Sequence, residues 1–196
     1  MTDPEVTGVT GRQRRKLVLV RHAKSAWPDT PDQERPLARR GLRDAPALGR
    51  WLRSAGYVPD LVVCSTARRA EETWQLAATE LQAHPAVSWD ERVYQASPAG
   101  LLDLIRQAPP ETGTMLVVGH DPAIAGVALM LSEGTAPAGA AGPPPGALDR
   151  MRAKFPTAAA AVLEFTGPWR LLAPGRAQLS QFVTPRDIRS EPRDDK

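Results

Sequence analysis

Short apolar runs alternate along this chain with longer stretches in which apolar residues return every three or four positions. Residues 17–20 (LVLV) form a continuous run rich in β-branched side chains, the pattern of a strand buried on both faces. Residues 36–56 follow, with Leu37, Ala45, Leu48, Trp51 and Leu52 at helical spacing and Gly56 placed to end the helix. Residues 60–64 (DLVVC) repeat the buried-strand pattern, and Ser65 or Thr66 then offers an N-cap. Ala67, Ala70, Trp74, Ala77, Ala78 and Leu81 mark one face of a second helix. A short strand at 87–89, a helix at 98–107 with Pro98 in its first turn, a strand at 114–118 and a helix at 122–131 continue the alternation. Residues 133–146 are Gly-, Ala- and Pro-rich, with three consecutive prolines at 143–145, and read as a long loop. A short helix is expected at 147–154, and two or three final strands among 159–165, 169–172 and 177–183.

Strands alternating with helices predict an α/β fold: a three-layer sandwich with a mostly parallel central sheet flanked by helices. Residues 1–15 and 187–196 are polar and without period, so they read as a disordered arm and tail around a single domain at 16–186. A total of 196 residues fits that one domain.

Composition narrows the function classes. One cysteine, Cys64, excludes a disulfide framework and any Cys-rich zinc module. No apolar run is long enough to span a membrane and no signal peptide is visible, so a cytoplasmic location is the expectation. The net charge is only +3, and the aromatic residues are scattered singly, so neither an electrostatic footprint nor a stacking platform for nucleic acid is present. Of the 25 basic residues only Lys16, Lys24, Lys154 and Lys196 are lysine. Arginine grips oxyanions with a fixed fork of donors, which raises the question of a focused anion site.

In open parallel sheets, ligands bind beyond the carboxyl ends of the strands. Arg21 and His22 follow the first strand, and Cys64, Ser65, Arg68 and Arg69 follow the second. Asp90 and Glu91 follow the third, and Gly119, His120 and Asp121 the fourth. Two histidines, two arginine sites and a carboxylate pair thus gather at one edge. Arginine forks suit a phosphoryl or carboxylate group. A neutral imidazole is a competent nucleophile toward phosphorus, and a carboxylic acid can protonate a leaving group. Taken singly, each has a plainer reading: a structural His120, a solvated Asp90–Glu91 turn, surface arginines. Their joint placement argues against that.

Two rival chemistries fail on spacing. A cysteine phosphatase needs an arginine six positions after its cysteine, and that position is Ala70, with Arg69 one short. His22, His84 and His120 form no metal-ligand pattern, so no metal or other cofactor is expected.

The segments LVLVRHAKSAW (17–27), ERPLARRG (34–41), RDA (43–45), STARRAEET (65–73) and LVVGHDP (116–122) together resemble the histidine phosphatase superfamily. Within it they are closest to the SixA-type phosphohistidine phosphatases, and the resemblance covers about residues 16–185. It implies the phosphoglycerate-mutase-like fold and a metal-independent phosphatase with a phosphohistidine enzyme intermediate. His22 resembles the nucleophile, and Arg21, Arg69 and His120 the pocket for the phosphoryl oxygens. Glu91 in DERVY falls where many relatives carry the proton-donating acid, with Asp90 the fallback. Asp121 departs from the usual Gly-His-Asn-Pro; its carboxylate either faces the phosphoryl group against its charge or points away.

The large helical insertion that caps the site in bigger relatives is missing, which implies an open site suited to a phosphorylated protein (phosphohistidine) as partner. A small phosphoester is the alternative substrate. A mutase and a non-catalytic phosphate-binding module are the remaining alternatives, and the oligomeric state is left open.

Overall fold

A computed structural model describes residues 13–134 and 144–190 of the chain. Six strands form one sheet in the order β3-β2-β4-β1-β5-β6. The strands are β1 (Arg14–Arg21), β2 (Leu61–Cys64), β3 (Ala86–Trp89), β4 (Thr114–Gly119), β5 (Ala160–Thr166) and β6 (Gln178–Val183). The first four run parallel, and β5 is antiparallel to both β1 and β6. The helices are α1 (Arg39–Ser54), α2 (Arg68–Leu81), α3 (Pro98–Ile105), α4 (Ala123–Ser132), α5 (Ala147–Ala153) and α6 (Pro185–Ser190).

The period-2 geometry of the strands divides the core into two halves. Leu17 and Leu19, Met115 and Val117, and Ala161 and Leu163 face the side covered by α3, α4 and α5. Val18 and Val20, Leu116 and Val118, and Val62 and Cys64 face α1 and α2 through Leu48, Trp51, Leu52, Ala70 and Trp74. Helices on both faces of a mostly parallel sheet make the expected three-layer α/β sandwich. It explains why the strand sequences are continuously apolar rather than alternating.

Two glycines set close approaches that position the site. A Cβ on Gly41 would lie 2.3 Å from the Lys24 carbonyl oxygen, so only glycine lets the start of α1 press against the loop after β1. A Cβ on Gly49 would lie 2.1 Å from the Ala77 carbonyl oxygen, where α1 crosses α2.

Three expectations change. The first strand starts at Arg14 rather than after residue 15. Arg14 and Arg15 pair with Thr166 and Phe165, and the buried Arg15 guanidinium donates to the carbonyls of Pro110, Thr112 and Gly167. Residues 169–172 form a 3-10 turn (Trp169–Leu171) instead of a strand. Trp169 and Leu172, three apart, are both buried while Leu171 between them is exposed, a helical rather than an alternating burial. Residues 187–190, expected in a disordered tail, belong to α6. Ile188 packs on the α1–α2 core and Arg189 donates to the buried Asp44 carboxylate. Residues 1–12 of the arm, 191–196 of the tail and 135–143 of the Pro/Gly-rich loop lie outside the described residues.

Candidate active site

The parallel strands β1, β2 and β4 bring their carboxyl ends side by side. Arg21 pairs in register with Gly119, and the His22 amide donates to the Gly119 carbonyl at 2.9 Å. This places the residues after β1 against those after β4, and the rings of His22 and His120 lie 5.0 Å apart between centroids. Both histidines are buried.

His22 is held in one tautomer. Its Nδ1 lies 2.7 Å from the Ala23 carbonyl oxygen, which only accepts, so Nδ1 carries the proton and donates. In the neutral ring this leaves the lone pair on Nε2. Burial lowers the His22 pKa to about 4, with the cations of Arg69, Arg21 and Arg35 acting in the same direction against the Ala23 carbonyl. The imidazole is therefore neutral at physiological pH, as a nucleophile must be. The Ala23 amide donates to Thr73 Oγ1, whose hydroxyl donates to the Arg69 carbonyl, tying this loop to α2.

His120 is also neutral. Burial, then the neighbouring His22 and Arg69, lower its pKa to about 3. Its Nε2 lies 2.8 Å from Ser65 Oγ, which already accepts from the Ala67 amide. The Ser65 hydroxyl has a second lone pair as well as its own hydrogen, so it suits either tautomer of the His120 ring. The Nδ1 of His120 is buried and has no hydrogen-bond partner among the described residues. Ser65, expected as an N-cap, thus spends its side chain on the histidine; Ala67 holds the N-cap position of α2.

Arg21 donates through Nη1 to the Phe155 carbonyl at 2.7 Å, and the same nitrogen lies 2.7 Å from Asp121 Oδ2 in an ion pair, while its buried Nε has no partner among the described residues. Asp121 therefore does not point away: it pairs with Arg21. Burial raises the Asp121 pKa against the opposing pull of Arg21. Arg69 enters from the first turn of α2 and is buried. Arg68 beside it is solvent-exposed and bonds Glu72. His22, Arg21, Arg69 and His120 thus share one cluster.

Glu91 is not drawn into that cluster. It begins a 3-10 turn (Glu91–Val93) with its side chain exposed, and among the described residues it makes no side-chain hydrogen bond or ion pair. Asp90 caps the turn and holds the Arg92 guanidinium instead. Cys64 is buried in the core, and burial pushes its thiol pKa up, the opposite of an activated cysteine.

Two residues that no motif singled out complete the site. Tyr94 presents its ring edge-on to His120, with centroids 5.5 Å apart. Asp32, in the loop between β1 and α1, accepts from Tyr94 Oη at 2.7 Å and from Arg69 Nη2 at 2.9 Å. Tyr94 had a sequence signal in its closeness to Glu91. Asp32, in PDQER, had none.

Comparison with known proteins bears on the fold and the family. Residues 17–97 match the histidine phosphatase superfamily (branch 1). An uncharacterised protein of Mycobacterium tuberculosis is 42% identical over 168 residues, 85% of this chain and 100% of the relative. A solved structure from Nakamurella multipartitia, assigned by name as a phosphohistidine phosphatase SixA, is 33% identical. It superposes with a TM-score of 0.76 over 88% of this chain and 96% of that one. The phosphoglycerate mutase of Plasmodium falciparum, 16% identical, shares the fold with a TM-score of 0.55 over 87% of this chain and 91% of its own. Motifs, sheet order and full-length relatives converge, and the chain belongs to the histidine phosphatase superfamily.

Proposed function

We propose that the protein is a phosphatase that works through a phosphohistidine on His22 and takes its phosphoryl group from a phosphohistidine on another protein. The observation that carries this reading is the His22 ring. It is buried and neutral, its Nδ1–H is fixed on the Ala23 carbonyl, and its Nε2 lone pair is free beside two arginines and a second histidine.

In the first step Nε2 of His22 attacks phosphorus in line. The bond from phosphorus to the substrate imidazole breaks, and the leaving ring takes up a proton. In the second step water attacks, the bond from phosphorus to His22 breaks, and phosphate leaves. Arg21, Arg69 and His120 hold the three equatorial oxygens, where charge stabilisation matters most. Arg21 Nε–H, and His120 Nδ1 in the tautomer that carries its proton there, have no partner among the described residues and suit this task.

The acid arrangement supports a substrate with a good leaving group. Both aspartates nearest the clamp are engaged by arginines, and Glu91 stands exposed and unengaged. A substrate imidazole departs with far less acid assistance than an alkoxide. The SixA assignment of the Nakamurella multipartitia relative points to the same substrate class. Glu91 keeps the role of acid for esters with poorer leaving groups.

The test combines phosphoenzyme trapping with a substrate panel. The wild type should acquire an acid-labile, base-stable phosphoryl group that His22→Ala does not. Turnover should be faster on a phosphohistidine protein than on alkyl phosphates. Unchanged turnover in His22→Ala overturns the mechanism, and a preference for an alkyl phosphate overturns the substrate assignment.

A further inference from the structure

The segment between β1 and α1 carries a short 3-10 turn (Asp32–Glu34) that begins at Asp32, whose contacts exceed what a loop carboxylate needs. Its backbone carbonyl accepts from Arg69 Nη1 at 2.6 Å. Its Oδ2 accepts from Arg69 Nη2 at 2.9 Å and from Tyr94 Oη at 2.7 Å. Its Oδ1 accepts from Arg35 Nη1 at 2.7 Å. One residue therefore engages both terminal nitrogens of a clamp arginine and joins three separate segments of chain.

We propose that Asp32 is a positioning residue, which acts through Arg69 to aim its guanidinium at the phosphoryl group. The inference rests on the reading of this cluster as a phosphoryl pocket. An arginine side chain has several soft torsions, and a guanidinium binds an oxyanion well only when its plane is preset. Asp32 presets it by taking one hydrogen from each terminal nitrogen, which leaves Nε–H and the two remaining terminal hydrogens as donors. The Asp32 side chain is itself 52% exposed, so the pair contributes little to folding.

The loop is in turn anchored by Arg35, which is buried and spends every nitrogen. Nε donates to the Ala26 carbonyl, Nη1 to Asp32 and Nη2 to Ser25 Oγ. The Trp27 ring covers the Arg35 guanidinium at 3.3 Å. Tyr94 braces Asp32 from the other side, donating through its hydroxyl to the same Oδ2 that Arg69 uses.

A carboxylate beside a phosphate clamp could instead act as a competitor that occupies Arg69 until substrate displaces it. The two roles predict opposite signs. Asp32→Asn keeps the backbone acceptor and one side-chain acceptor but loses the charge and the paired alignment. If Asp32 positions Arg69, this variant should bind orthovanadate about 5- to 20-fold more weakly, the scale of one misaligned charge-assisted contact. Its kcat/KM for an aryl phosphate should fall in parallel. Tyr94→Phe should shift both in the same direction by a smaller factor.

The deciding measurement is a double-mutant cycle on orthovanadate affinity with Arg69→Met. In the Arg69→Met background, Asp32→Asn should have no further effect, because its influence passes through Arg69. Thermal unfolding of each variant confirms that folded protein is compared. Equal or tighter binding by folded Asp32→Asn, or effects that simply add in the cycle, overturn the proposal. If the wild type binds no orthovanadate, the phosphoryl-pocket reading falls and this inference falls with it. If the wild type binds and Asp32→Asn binds equally, only the role of Asp32 falls.

Discussion

Protonation of His22 is the perturbation most directly legible in the site. A solvated histidine titrates near 6.5, whereas burial and the surrounding arginines bring His22 to about 4. That difference corresponds to about 3 kcal/mol against the imidazolium at 1.36 kcal/mol per unit. At pH 5.5 about 3% of His22 would be charged, against about 90% for an ordinary histidine. The chain has only three histidines, so proton–carbon correlation spectra can follow each ring, with His84→Gln used for assignment.

The His22 and His120 rings should keep neutral-imidazole shifts down to about pH 5. The rate of phosphoenzyme formation, once the ionisation of the substrate is accounted for, should show no loss of nucleophile between pH 8 and about pH 5. Stability follows the same groups. Between the ordinary and the lowered values the unfolded chain binds more protons than the folded one, so stability falls as pH drops below 6.5 toward 4. Either ring titrating near 6.5 in the free protein would refute the reasoning, since it would mean that burial and the arginines do not control the site.

The other residues give shorter tests. Asp121→Asn keeps an acceptor for Arg21 and removes a negative charge from the clamp, so inorganic phosphate should bind about three- to tenfold more tightly at pH 7.5 by calorimetry. The Asp121 pKa is raised, so its charge is lost earlier than that of an ordinary carboxylate as pH falls. The gap between variant and wild type should close accordingly. Gly49→Ala puts a methyl group into the Ala77 carbonyl and forces α1 and α2 apart; urea unfolding should show a loss of about 2–4 kcal/mol. Glu91→Gln should leave turnover of a phosphohistidine protein within about threefold and lower that of an alkyl phosphate by about tenfold or more, in parallel steady-state assays.

Local pattern was sufficient for most of the fold. Buried parallel strands need long apolar side chains on both faces, and that leaves continuous runs such as LVLV and LVVC that a reader of the chain can find. It failed where burial did not follow chain pattern. Arg14 and Arg15 read as polar arm, yet Arg15 is buried because three carbonyls from distant loops satisfy its guanidinium. Residues 169–172 look like a strand, yet Trp169 fills the core as a single plug with its Nε1 donating to the Thr112 carbonyl.

At the site the same division holds. Arg21, His22, Arg69 and His120 were legible because each stands at or just beyond a strand end within a short, ordered motif. The sequence by itself therefore determined the succession of strands and helices up to α5 and the four residues of the cluster, since those depend on local spacing and on the strand ends of a parallel sheet. Only the tertiary structure decided the His22 tautomer, the pairing of Asp121 with Arg21 and the hold of Asp32 and Tyr94 on Arg69 and His120. Those depend on distances between atoms far apart in the chain: Asp32 and Arg69 are separated by 37 positions, and no periodicity spans such a gap.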